Sequence, residues 1–443
     1  MAEGEPGYDE ARAVWNADID RRPALVARCA GVSDVALCVR TAREHDLTLA
    51  VRGGSHNVAG FGTCDGGLVC DLGAMRAVRV DPSRRSATVQ GGATWADFDA
   101  ETQAFGLATT GGVVISTGVG GLTLGGGIGW LKRNHGLTCD NLLGADVLTA
   151  DGTLVRASRD ENPDLFRALR GGGGNFGIVT SFEFALHEVD TVVGGYLAFE
   201  IERLGELLRW YREAAPGFPR ELTTLLFIMS ADAAAPIPER LWGKPVILLG
   251  ACWSGDLRAG ERVLEQLRGA GPVIVDALEP QRYLELQGAF AGAPQALPGY
   301  GNYWKAEYLA GLPDAAIDAF CEHAGRATSP ISYMEIDPLG GAISEVGDDA
   351  TAIGFRGAPF LYQSNAVWTA DDPERERHVA WARDFFAAME PFSAGATYLN
   401  FIGEEGDERV RGAFPPAMWD ALKATKRRFD PDNLFRVNQN IAP

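Results

Sequence analysis

Three runs of glycine, the first of them holding a histidine, carry the chemistry this sequence offers most plainly. The first is Val51-Arg52-Gly53-Gly54-Ser55-His56-Asn57, the second spans residues 111–129 and the third is Gly171 to Gly177. Glycine lets a backbone approach a ligand and adopt positive φ, so such runs can turn amide N–H groups onto phosphates. Any one of them alone reads equally well as a tightly packed turn. Three within about 125 residues point instead to a long, phosphate-bearing cofactor. Two familiar phosphate motifs do not account for them. Gly172-x-Gly174-x-x-Gly177 has dinucleotide spacing, but it follows a helical stretch and precedes the strand Ile178-Val179-Thr180, the reverse of the required order. No G-x-x-x-x-G-K-[ST] loop exists.

The elements that must carry these turns read as a mixed fold. An extended piece at 24–27, a helix begun at Ser33 and a strand at 47–52 make a β-α-β opening that ends in Gly53-Gly54. Short strands follow at 67–72, 77–81 and 86–90. Thr94 caps a helix over 94–105, which leads into the second glycine run. Residues 144–156 form a hairpin on the turn Asp151-Gly152, and a helix near Pro163–Leu169 enters the third run. Beyond about residue 190, helices at 203–214, 259–270 and 315–324 alternate with strands at 222–230 and 246–253. The tail carries a helix over 417–429, closed by Asp430-Pro431-Asp432-Asn433, and then an extended segment.

Bulk properties bound the function. At 443 residues the chain exceeds one ordinary core, and 46% hydrophobic with 22% charged residues is the balance of a globular protein. A formal charge of −19 argues against nucleic acid or an anionic membrane surface as partner. The seven cysteines lack metal-type spacing and read as reduced, mostly buried thiols. With no apolar run of spanning length and no basic, apolar leader, a cytoplasmic location is expected.

The order of the motifs resembles the berberine bridge enzyme-like oxidases, of the vanillyl-alcohol-oxidase superfamily. Residues 51–57, Gly118-Val119-Gly120-Gly121-Leu122-Thr123-Leu124-Gly125-Gly126-Gly127-Ile128-Gly129, Gly136-Leu137-Thr138-Cys139-Asp140-Asn141 and Leu169–Gly177 look like that family's successive FAD-binding motifs, and Asn433–Ile441 like its C-terminal FAD-contacting segment. The resemblance implies an α+β fold. A PCMH-type FAD domain of two α/β subdomains would occupy residues 1–190. A substrate domain with a helix-flanked antiparallel sheet would occupy 191–404, and the segment 405–443 would complete the FAD domain. It implies covalent FAD attached through His56, with Gly53, Gly54, Ser55 and Asn57 on the pyrophosphate and Gly121, Gly127 and Gly129 on the cofactor's other side. Asp140, Asn141 and Ile178 would complete the cradle, and Asn438 or Asn440 would reach it from the tail. Many members carry a second bond through a cysteine where this chain has Val114, so a single link is expected, as in the 6-hydroxy-D-nicotine oxidase branch. Cys139 is a tempting substitute that lies at a different point of the cradle.

For the substrate side, the resemblance picks out three segments. Tyr398, in a match to a Tyr-x-Asn-Tyr motif that ends here in Phe401, is the first candidate for a base or a substrate-orienting hydroxyl, with Asn400 orienting it. Gln363 holds a place that faces the flavin, Lys305 could stabilise a developing anion, and Tyr308 lies nearby. The implied reaction moves a hydride from a CH–OH or CH–NH centre of a small organic molecule to flavin N5, with molecular oxygen as acceptor and hydrogen peroxide as product. A flavin-dependent cyclase or dehydrogenase that does not use oxygen, or a flavin-binding protein without catalysis, would use the same cradle.

Overall fold

The computed structural model describes residues 1–232 and 236–443. Its α+β architecture is built on three main sheets. A small parallel sheet sets the strand Leu68–Asp71 between Leu25–Arg28 and Leu49–Arg52. Helix Val32–Glu44 covers it, burying Val35, Cys38, Val39 and Ala42. The helix begins two residues earlier than a cap at Ser33 would set it: Gly31 is its cap and Asp34 accepts from the amide of Ala30 at 2.8 Å.

A second sheet is antiparallel and five-stranded, in the order 78–81, 86–90, 178–185, 142–148, 154–158. Thr94 caps helix Trp95–Gln103 through a reciprocal box with Asp97. The tail helix Pro416–Phe429 joins the same core, with Met418 and Leu422 packed among Phe166, Leu169 and Phe176.

The eight-stranded antiparallel sheet begins at Thr191. One face is apolar (Leu226, Ile228, Met334, Ile336, Tyr362) and buries the helices Leu204–Ala214, Asp314–Ala324 and Arg375–Met389. Because strand side chains alternate, the opposite face presents another set toward the glycine turns. Strand register puts Phe227, Glu335, Gln363 and Ala306 in one row across four strands.

Candidate active site

A cavity of about 340 Å³ runs between the glycine turns and that second sheet face. Its floor is backbone. Strand Leu49–Arg52 ends where the Arg52 guanidinium meets Asp71 at 2.7 Å, both buried. The chain then turns through Ser55 at φ 62°. A Cβ on Gly54 would lie 2.3 Å from the amide nitrogen of Gly118, and one on Gly118 would lie 2.4 Å from that of Gly54. The two turns therefore touch backbone to backbone, and no side chain fits at either position.

Gly53 to Asn57 all line the cavity, and among the described residues their five amides donate to no protein acceptor. Unpaired amides beside glycines are what an anionic, phosphate-bearing group needs, so the residues present fit FAD. Gly121, Ile178, Val114 and Thr117 line the same space.

His56 stands at the edge of the floor. Its ring stacks on Trp15, centroids 5.0 Å apart at 22°. Its Nε2 is 3.0 Å from the Ser116 hydroxyl. Burial pushes its pKa down to about 4, so the imidazole is neutral near pH 7.

The tail supplies Phe435, Val437, Asn438 and Gln439 to the wall. A buried clamp holds it there. The Lys426 ammonium bonds Asp430 at 2.7 Å and the carbonyls of Asn175 and Phe435, each at 2.9 Å. Asp430 in turn accepts from the amides of Leu434 and Phe435. Asn438 donates to the Gly174 carbonyl at 3.1 Å, and its own amide oxygen is buried without a partner among the described residues.

Other proposed cradle residues lie outside the cavity lining. The Gly127 amide donates to the Tyr398 hydroxyl, Gly129 is pressed against the Gly111 carbonyl, and Asp140 pairs with Arg356 at 2.7 Å. Asn141 donates to the carbonyls of His135 and Leu137, and Asn440 is also off the wall. These residues shape the turn from behind. Cys139 is fully buried in an apolar cluster with Leu137, Tyr308 and Tyr398 and does not reach the cavity.

The substrate wall differs from the sequence reading in three residues. Lys305 pairs in register with Ser364 while Ala306 pairs with Gln363, so Lys305 points to the helix layer. There its ammonium bonds Glu405 at 2.7 Å above the Phe386 ring. Tyr398 lies beneath the floor, where its hydroxyl accepts from Gly127 at 2.7 Å and from Asn400 at 2.9 Å; burial raises its pKa. It braces the glycine turn and is not placed to take a proton from a molecule in the cavity. Tyr308 lies in the same apolar cluster, off the wall. Gln363 and Asn400 do line the cavity.

The group that sequence reasoning missed is Glu335. Buried on the wall, its carboxylate accepts from Gln363 Nε2 at 2.7 Å. Burial first, and Asp337 second, push its pKa up to about 8. Tyr333, two residues away on the same face, also lines the cavity, and burial keeps its hydroxyl protonated. The signal was present in Tyr333-Met334-Glu335-Ile336-Asp337, where acids alternate with apolar residues inside a strand. Such a pattern puts carboxylates on one buried face, which is costly without a purpose or partners. Around Glu335 and Gln363 the wall is apolar and aromatic: Leu225, Phe227, Met229, Phe290, Trp304 and Phe401.

Similarity to known proteins agrees with this architecture. Residues 23–158 match the FAD binding domain family, and residues 397–442 match the family described as berberine and berberine like. The chain is 31% identical to (R)-6-hydroxynicotine oxidase of Paenarthrobacter nicotinovorans, over 99% of this chain and 95% of that one. The crystal structure of 6-hydroxy-D-nicotine oxidase from Arthrobacter nicotinovorans superposes with a TM-score of 0.89 at 29% identity, covering 100% of this chain and 97% of that one. Glucooligosaccharide oxidase from Acremonium strictum, described with a 6-S-cysteinyl, 8α-N1-histidyl FAD, superposes at 0.86 with 26% identity, covering 100% and 95%. Among the described residues no helix is long and apolar enough to cross a membrane. With its FAD-binding domain, its berberine-type tail and a relative alike over nearly the full length, the chain belongs to the berberine-like family of FAD-linked oxidoreductases.

Proposed function

We propose that the chain oxidises a CH–NH centre in an aromatic or otherwise apolar amine, with Glu335 as the proton acceptor and oxygen as the final electron acceptor. The observation that carries this is Glu335, the one carboxyl among the described lining residues, paired with Gln363 on a largely apolar wall opposite the turn bearing His56. FAD supplies the hydride acceptor. His56 is its covalent tether, Gly53, Gly54, Ser55 and Asn57 hold its pyrophosphate, Gly121 faces its other side, and Asn438 meets it from the tail.

An amine enters a protein from water as an ammonium, and its nitrogen lone pair must be free before a hydride can leave the adjacent carbon. A carboxyl with a pKa near 8 is matched to accept that proton from an amine near neutral pH. Gln363 fixes the direction of the carboxylate and can neither give nor take the proton. The rings of Phe227, Phe290 and Trp304 exclude water and hold an apolar body. A sugar, by contrast, would need many hydrogen-bonding side chains on the wall, and Glu335, Gln363 and Tyr333 are few.

The domain division proposed at 190 and 404 fits this arrangement, since the large sheet starts at Thr191 and the tail helix joins the first core. The test is a screen for hydrogen peroxide release across apolar amines, alcohols and oligosaccharides. Turnover confined to sugars would overturn the amine reading. Flavin bleaching by an amine without peroxide would overturn oxygen as acceptor. Denaturation in acid should leave the yellow colour on the protein pellet, and His56→Ala should release it.

A further inference from the structure

The hydroxyl of Ser116 does more than fill space beside His56. It stands 3.0 Å from His56 Nε2 and 3.3 Å from the carbonyl oxygen of Ala296. A carbonyl can only accept, and a serine hydroxyl has one proton to give. A Ser116 proton given to Ala296 leaves the Ser116 oxygen free to accept from Nε2, the arrangement in which Nε2 carries the hydrogen of the neutral imidazole. Nδ1 then carries the lone pair. Among the described residues no protein group bonds Nδ1. The stack on Trp15 fixes the plane of the ring, and the low basicity of the buried imidazole keeps that lone pair free of a proton.

We infer that Ser116 is a positioning residue for covalent attachment: it holds His56 in the Nε2–H tautomer, so that Nδ1 bonds the 8-methyl carbon of the flavin. This rests on the reading of His56 as the tether. In the step, a bond forms between Nδ1 and the methyl carbon, and one C–H bond of that carbon breaks with loss of a proton. The electron pair from that bond reduces the flavin ring. The Nε2 proton then leaves by way of the Ser116 oxygen, and the linked imidazole ends neutral. Dioxygen takes the two electrons and two protons as hydrogen peroxide, returning the ring to its oxidised form. Ala296 belongs to the turn Pro294–Ala296 of the segment that carries the large sheet. The tautomer is therefore set by a contact between the two halves of the molecule.

The experiment uses the full chain produced without riboflavin, mixed with FAD, and follows the mass of the denatured protein with time. Ser116→Ala should slow covalent incorporation about tenfold, the scale of one lost hydrogen bond that biases a reactive form. Ser116→Thr, which keeps the hydroxyl, should restore the rate. Affinity for FAD before bond formation and the melting temperature should not change. NMR of the isolated flavin peptide should show attachment through Nδ1 in the unmodified chain and through both nitrogens in Ser116→Ala. Equal incorporation rates for the Ala variant and the unmodified chain, a parallel loss of initial FAD affinity, or attachment through Nε2 in the unmodified chain would each overturn the role of Ser116. Covalent flavin retained by His56→Ala would instead overturn the tether itself.

Discussion

Replacing Glu335 with glutamine isolates the group on which the proposed chemistry turns. In the unfolded chain this carboxyl titrates near 4.5, and in the folded one near 8. Between those values the native state holds a proton that the unfolded state has released, so this group makes stability fall as pH rises through that window. At 1.36 kcal/mol per pH unit, the loss by pH 9 reaches about 5 kcal/mol as an upper figure. Glutamine has no proton to lose. Glu335→Gln should therefore melt with the unmodified protein at pH 4.5 and several degrees above it at pH 9. Asp99, raised by burial to about 7, tilts both proteins alike and cancels in the difference. The same variant should lower kcat/KM for an amine by roughly 100-fold or more, the scale of general base catalysis. It should also remove the rise in kcat/KM that ionisation of Glu335 produces near pH 8. Differential scanning fluorimetry from pH 4.5 to 9, beside peroxide-coupled kinetics, reads both effects. A difference in melting temperature that does not change with pH would refute the titration, and an unchanged kcat/KM would refute the base.

Tyr398→Phe leaves the buried Gly127 amide without its acceptor, at a cost of about 1–3 kcal/mol; it should lower the melting temperature while the pH profile of kcat/KM keeps its shape, and a lost limb would return Tyr398 to the base role. Lys426→Met strands the Asp430 carboxylate at the base of the tail and should destabilise by about 3–5 kcal/mol, with faster loss of FAD from the His56→Ala background by ultrafiltration; unchanged retention would separate the clamp from the cofactor. Val114→Cys places a thiol on the cavity wall, at the position the sequence resemblance matches to a flavin-linking cysteine. In the His56→Ala background it should restore covalent flavin, seen as retained mass after acid denaturation, and no retention would show that position 114 does not reach the ring.

The cofactor side was legible in the sequence because backbone made it. At Gly54 and Gly118 any Cβ would strike the facing backbone, so the constraint shows directly as residue type. His56 and Asn57 line the cavity beside those glycines, and Asn438 lines it from the tail segment. Gly127, Gly129, Asp140 and Asn141 were expected to line the cavity and lie behind its turns instead, since a sequence does not distinguish the lining of a turn from its back. The substrate side was harder for a different reason. Within strand Tyr300–Leu309 a shift of one residue exchanges faces, and sequence alone does not say whether Trp304 or Lys305 looks inward. Pairing with Phe360–Thr369 decides it, by setting Ala306 against Gln363. Tyr398 was misplaced because a tyrosine that braces a backbone and one that serves a substrate have the same local sequence.

The two walls also differ in what can change. Where the floor is touching backbone, at Gly54 and Gly118, it tolerates no side chain, because a Cβ there would strike the facing turn. The opposing wall is made of alternate side chains from four antiparallel strands, whose helix-facing partners are a separate set. Phe227, Tyr333, Glu335, Gln363 or Trp304 can each be exchanged without altering the residues that hold the sheet to its helices. Cofactor retention and substrate choice are thus carried by different physical constraints. Relatives over the full length of this chain are named for 6-hydroxynicotine in one case and a glucooligosaccharide in another, and in this chain the sheet face is the wall free to vary without disturbing the glycine floor.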